Sequence, residues 1–123
     1  MFKLAVVVGA VGVLAGATFH AGFKSAIPAP GATVPSPVKI SITFTEAVMA
    51  PPISSFTLLN ADSTVAMKLT VIAKPDDTET IEATVSKPLA PGKYIVRWKN
   101  GAADDGHAFR GAFTFTVVAP KSH

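Results

Sequence analysis

The stretch Val38-Lys39-Ile40-Ser41-Ile42-Thr43-Phe44 decides how the rest of the chain is read. Its apolar residues fall at every second position, Val38, Ile40, Ile42 and Phe44, with Lys39, Ser41 and Thr43 between them. A period of two sends alternate side chains to opposite faces of a strand. A helix would need its apolar residues three or four apart. The stretch is therefore expected to be a half-buried strand, with Val38, Ile40, Ile42 and Phe44 all inward.

Working outward, similar short segments recur. AGFKSAI, residues 21–27, precedes it as a first strand. FTLLN runs into the turn NADS, whose residue types tolerate tight backbone geometry. AMKLTVIA and TIEATVS flank KPDDTE, a hairpin connection. PLAPG is a turn leading into KYIVRW, where Tyr94, Val96 and Trp98 share a face. AFTFTVV closes the series, with Phe113, Phe115 and Val117 inward. No stretch carries a convincing helical period. Seven short strands separated by turns predict an all-β fold: a seven-stranded antiparallel β-sandwich or barrel, immunoglobulin-like with a cupredoxin-like Greek key. The ten prolines suit such a turn-rich architecture.

The beginning of the chain reads differently. Lys3 is followed by an uncharged run from Leu4 to Ala17, too short for a span of about 20 residues. A positive start, a short apolar middle and small residues at Ala15 and Ala17 predict a secretory signal peptide over residues 1–19. The cut falls either after Ala17 or after Phe19, and residues 20–123 form the domain. No second apolar span follows, so the product is expected to be periplasmic.

Composition narrows the function. At 123 residues the chain holds one domain. Without cysteine it cannot build a disulfide, a zinc–thiolate site, an iron–sulfur cluster or a blue-copper centre. The net charge of +3 is mild and its lysines are scattered along the sequence, so nucleic acid is not an expected partner.

Strand alternation then makes a topological prediction. The start of the first strand, the turn TEAVMAPP (residues 45–52) and the loop from Lys99 to Gly111 should share one pole. His20, Asp105 and His107 would meet there, joined by Glu46 and Met49. Asp105 and His107 are spaced D-x-H, so an imidazole and a carboxylate can converge on one ion, and Gly106 between them permits the bend. Gly111 would let the chain turn into the last strand.

If His20 is the first residue after processing, its amine and imidazole chelate together. With His107 they supply three nitrogens, and Asp105 adds an oxygen; a tetragonal set of that kind suits Cu(II). If processing leaves Thr18-Phe19-His20 first, an amine, two backbone amides and a third-position imidazole form a square-planar chelate for Cu(II) or Ni(II). Metal capture by such groups releases protons, so affinity is expected to fall on acidification. Met49 and Met67 are too far apart in sequence for a thioether cluster, and Met67 is expected to fill core space. His123 is expected to be a frayed terminal residue.

Four blocks, in order, resemble the CopC family of periplasmic copper-resistance proteins: HAGFKSAIPAPGATV, VKISITFTEAV, PLAPGKYIVRWK and DDGHAFRGAFTFTV. The resemblance spans residues 20–118. It implies a β-sandwich that binds Cu(II) through His20, Asp105 and His107, with Glu46 orienting His20 from behind. It also implies copper resistance, buffering or delivery rather than catalysis. The partner implied is a membrane copper transporter of the CopD type or another periplasmic copper protein. The family's methionine-rich Cu(I) loop is missing here, so only the Cu(II) function carries over. Two other readings compete. One is a histidine-brace copper oxidase, which would need an extended substrate face. The other is a structural sandwich without metal.

Overall fold

The computed structural model describes residues 21–120. The expected signal peptide, His20 and His123 lie outside the described residues.

Among the described residues nine strands run in chain order: β1 (Phe23–Ile27), β2 (Thr33–Val34), β3 (Lys39–Phe44), β4 (Ser55–Asn60), β5 (Val65–Met67), β6 (Val71–Lys74), β7 (Asp77–Thr84), β8 (Gly92–Gly101) and β9 (Ala108–Val117). They form two sheets, ordered β1-β3-β7-β6 and β2-β9-β8-β4-β5. This is the all-β sandwich expected from the alternating patterns, with every described strand pair antiparallel except one. The exception is β2, a dipeptide that runs parallel to the end of β9, Thr33 beside Thr116 and Val34 beside Val117.

The strand count rises from seven to nine for two local reasons. β2 is too short for any period to reveal. The segment AMKLTVIA is two strands: β5 pairs with β4 through Met67 and Leu58, whereas β6 pairs with β7 in the other sheet. The chain changes sheets over residues 68–70. The strand that opened the reading also starts one residue late. Ile40, Ile42 and Phe44 are fully buried, but Val38 is 77% exposed because the β3 ladder begins at Lys39.

Inward residues of both sheets build one core. Tyr94, Val96 and Trp98 of β8 face Phe113, Phe115 and Val117 of β9 on the same layer, all buried. Ile40, Ile42, Phe44 and Ile81 come from the opposite sheet. Each fully buried aliphatic or aromatic side chain adds about 1.5–3 kcal/mol relative to leaving it in water. Met67 is half-buried and packs against this cluster, as expected. The Tyr94 hydroxyl donates to the Ala90 carbonyl at 2.6 Å, closing the PLAPG turn on the strand it feeds. A tyrosine that reaches back to the backbone just upstream is a device of immunoglobulin-like sandwiches. At the other sheet's hairpin, Asp77 accepts from the Thr80 hydroxyl at 2.7 Å and the Glu79 amide at 2.9 Å. These bonds hold its carboxyl below the usual carboxylate range.

Candidate metal centre

β8 and β9 are the longest strands, and they carry the D-x-H loop at their shared end. Their register is unbroken from Gly92 opposite Val117 to Gly101 opposite Ala108. The residues between, 102–107, therefore start from a fixed base. The loop closes on itself: the Ala102 amide donates to the His107 carbonyl at 2.9 Å, and the Gly106 amide donates to the Ala102 carbonyl at 2.8 Å. Gly106 sits at φ +73°, in the left-handed region that a side chain disfavours, as the bend between Asp105 and His107 required.

Within the loop, Asp105 Oδ1 accepts from the His107 amide at 2.9 Å. An aspartate that bonds the amide two residues on folds the backbone into a tight turn. The imidazole of His107 stacks on the Phe109 ring, centroids 5.2 Å apart and planes 19° apart. Residues two apart at the start of a strand share a face, which is why this stack forms. Asp105 and His107 are both exposed. One carboxylate and one imidazole thus sit exposed at the rim of the sandwich on a pinned backbone.

Two further segments are drawn to this rim. The first is the stretch after β3. Val48 makes an antiparallel bridge to Ala102. The Met49 amide donates to the Gly101 carbonyl at 2.8 Å, and the Ala103 amide donates to the Ala47 carbonyl at 2.9 Å. Met49 accordingly belongs to this pole. The second is the chain entering β1. Gly22 and Thr45 bond in both directions: the Thr45 amide to the Gly22 carbonyl at 2.8 Å, and the Gly22 amide to Thr45 Oγ1 at 3.0 Å. Glu46, half-buried, therefore lies between a residue tied to Gly22 and a residue tied to the D-x-H loop.

Sequence reasoning missed one residue here. Asn100, 2% exposed, donates from Nδ2 to the carbonyl of Ala21 at 2.8 Å, and Ala21 is fully buried. Asn100 stands opposite Phe109 in the β8–β9 ladder. The residue that follows His20 is thus fastened to the very strand pair whose end bears Asp105 and His107. A signal was available: Tyr94, Val96, Trp98 and Asn100 form one inward series, and an amide at an inward position must find a partner. Asn100 Oδ1 is buried and has no partner among the described residues.

Among the described residues no three His, Cys, Asp or Glu side chains gather into a ready metal cluster. Asp105 and His107 are brought together and Glu46 is brought to the same pole. The remaining expected ligand, His20, lies outside the described residues. The donors present, an imidazole nitrogen and a carboxylate oxygen, fit a divalent ion of the borderline class to which Cu(II) belongs.

One consequence follows from the loop geometry alone. Gly106→Ala is expected to lower the unfolding free energy by about 1 kcal/mol, the cost of a side chain at positive φ. Chemical denaturation would show it. A variant as stable as the parent would mean that the loop adopts another backbone path.

No helix among the described residues is long and apolar enough to cross a membrane. The family model of the CopC domain matches residues 23–118. Copper resistance protein C of Xanthomonas campestris pv. juglandis is 30% identical over 108 residues, covering 84% of each chain. Among solved structures, CopC from Methylosinus trichosporium OB3b superposes with a TM-score of 0.70 at 25% identity, covering 80% of this chain and 93% of that one. PcoC, a methionine-rich copper resistance protein from Escherichia coli, superposes with a TM-score of 0.68 at 27% identity, covering 80% and 99%.

Proposed function

The chain belongs to the CopC domain family, and on that premise we propose that the β8–β9 pole binds one cupric ion as cargo through His20, Asp105 and His107. Glu46 orients His20. The protein then buffers copper in the periplasm or passes it to a partner, for which a membrane transporter of the CopD type is one candidate. It performs no catalysis of its own.

The observation that carries this reading is the tie from Asn100 to Ala21. It holds the residue next to His20 against the strands that present the D-x-H loop. The two clasps at Thr45–Gly22 and Ala47–Ala103 support it by placing the Glu46 backbone between the same two segments. Imidazole nitrogen, carboxylate oxygen and an amine suit Cu(II) better than Cu(I), which favours thioethers and thiolates. Met49 is the one methionine at this pole among the described residues, and a lone thioether does not make a Cu(I) site.

The test begins with the exported protein, whose intact mass fixes the first residue and hence which chelate is available. Titration with Cu(II) against a competing chelator should then reveal a single tight site. His107→Ala should weaken it by about thirtyfold or more, equivalent to roughly 2 kcal/mol. The side chain is exposed, so the variant should fold normally. Copper binding of parental affinity in His107→Ala would overturn the proposal.

A further inference from the structure

Charge is divided unevenly between the two sheets. The strands of the β1-β3-β7-β6 sheet carry Lys24, Lys39 and Lys74 against Asp77, Glu79 and Glu82. Lys39 and Glu82 are ion-paired at 3.6 Å. The strands of the other sheet carry Lys93, Arg97, Lys99 and Arg110 and no carboxylate at all. All four of these cations are exposed and occupy outward positions of β8 and β9.

The sequence spacing hides this cluster and the register creates it. Lys99 stands directly opposite Arg110. Arg97 stands opposite Ala112, which makes Arg110 its diagonal neighbour. Like charges placed opposite one another on a sheet repel, and among the described residues no ion pair relieves them. Arg97, Lys99 and Arg110 surround a groove of about 380 Å³, whose lining also includes Ser55, Thr57 and Trp98. Guanidinium groups present planar forks of donors that match carboxylates two bonds at a time. The Ser55 hydroxyl adds an uncharged donor to the same groove, whereas the Thr57 hydroxyl donates to the Arg97 carbonyl at 3.5 Å.

Position gives the cluster its meaning. Lys99 is adjacent to Asn100, and Arg110 lies three residues beyond His107 on the strand that leaves the D-x-H loop. The cationic groove and the candidate metal centre therefore share one strand pair. We propose that this outer face of the β9–β8–β4 strands docks an acidic segment of a partner protein. Several carboxylates of that segment enter the groove between Arg97, Lys99 and Arg110. Docking there would bring the partner alongside the copper pole, a purpose that rests on the copper reading above; the docking itself does not. The hollow shape favours carboxylate side chains over an anionic bilayer, whose headgroups meet a flat or protruding array of cations.

The test uses copper-free protein. Amide resonances are followed by NMR while an N-acetylated hexaglutamate peptide is added at low ionic strength. Shifts should concentrate at residues 55–57, 97–99 and 110–112. Affinity should fall about tenfold in Arg97→Glu/Arg110→Glu, and similarly when salt is raised enough to shorten the screening length severalfold. The milder Arg97→Gln/Arg110→Gln should lie between, and Lys24→Glu/Lys74→Glu on the other sheet should change affinity less than about twofold. Shifts centred on Lys24, Lys39 and Lys74, or indifference to the Arg97 and Arg110 substitutions, would overturn the proposal. So would capture of the protein by vesicles rich in anionic lipid without any binding of the peptide. Cu(II) titration of Arg97→Glu/Arg110→Glu should match the parent, so a failed docking site leaves the copper site standing.

Discussion

Gly111→Val is expected to lower the unfolding free energy by about 3 kcal/mol or more, a large share of the roughly 5–15 kcal/mol that holds a domain together. The reason is space. A Cβ at position 111 would lie 2.6 Å from Trp98 Cζ2, 2.8 Å from Cε2 and 3.1 Å from Nε1. Gly111 and Trp98 are direct partners in the β8–β9 ladder, so the indole lies across the glycine. The ring cannot retreat: it is buried, packed on Phe44 with centroids 5.2 Å apart and on Phe23 at 6.4 Å. Any added carbon must push the two strands apart or displace three aromatic rings together. Urea titration should show the loss. Trp98→Phe removes the outer indole atoms, so Gly111→Ala should cost at least about 1 kcal/mol less in that background than in the parent. Equal costs in both backgrounds would mean that the ring and the glycine do not compete for space.

Gly111 also shows how a sequence can signal the right residue for a different reason. Four residues past His107, it was expected to turn the chain into the last strand. In the fold β9 already begins at Ala108 and Gly111 has no positive φ; its task is to make room for Trp98. Gly106, by contrast, does what its place between Asp105 and His107 implied. Periodicity was enough for β3, β8 and β9, because an alternating pattern with one buried face admits only one register without exposing the whole apolar set. It failed across residues 68–70. Lys68, Leu69 and Thr70 include no glycine or proline to mark the change of sheet, so one apparent strand became β5 and β6. The candidate site was half legible. The D-x-H spacing and the pole it occupies follow from sequence plus strand alternation. The inward place of Asn100 was legible in the alternation of β8, but its partner Ala21, remote in sequence, was not. The clustering of Arg97, Lys99 and Arg110 depends on which β8 residue faces which β9 residue, and spacing within one strand does not contain that information.

Asn100 supports the other large prediction. Asn100→Asp keeps the shape of the side chain but replaces the donor that Ala21 receives with an oxygen. Two acceptors then face each other in a site where both residues are buried. Ionised, the new carboxylate is also a buried charge, because Arg97 and Lys99 of β8 point to the outer face of the sheet and away from it. Together these effects are expected to destabilise the fold by about 3 kcal/mol at neutral pH. A protonated carboxyl, however, carries a hydrogen and can donate to the Ala21 carbonyl. Burial raises the folded-state pKa of such a group above its unfolded value. The variant therefore regains stability as pH falls from the raised folded value toward the ordinary carboxylate range, and loses it again as pH rises. The parent's curve over the same interval gives the baseline. A deficit that is the same at every pH would show that the Nδ2 bond is not what Asn100 contributes. Copper provides the second readout. If the bond to Ala21 holds the start of the domain against the D-x-H loop, Asn100→Asp at neutral pH should weaken Cu(II) binding by about tenfold or more, the range seen when groups behind a metal ligand are removed. Asn100 is not among the proposed ligands, so such a loss would reach the metal site through the chain it anchors, and unchanged affinity would separate the anchored segment from the metal site.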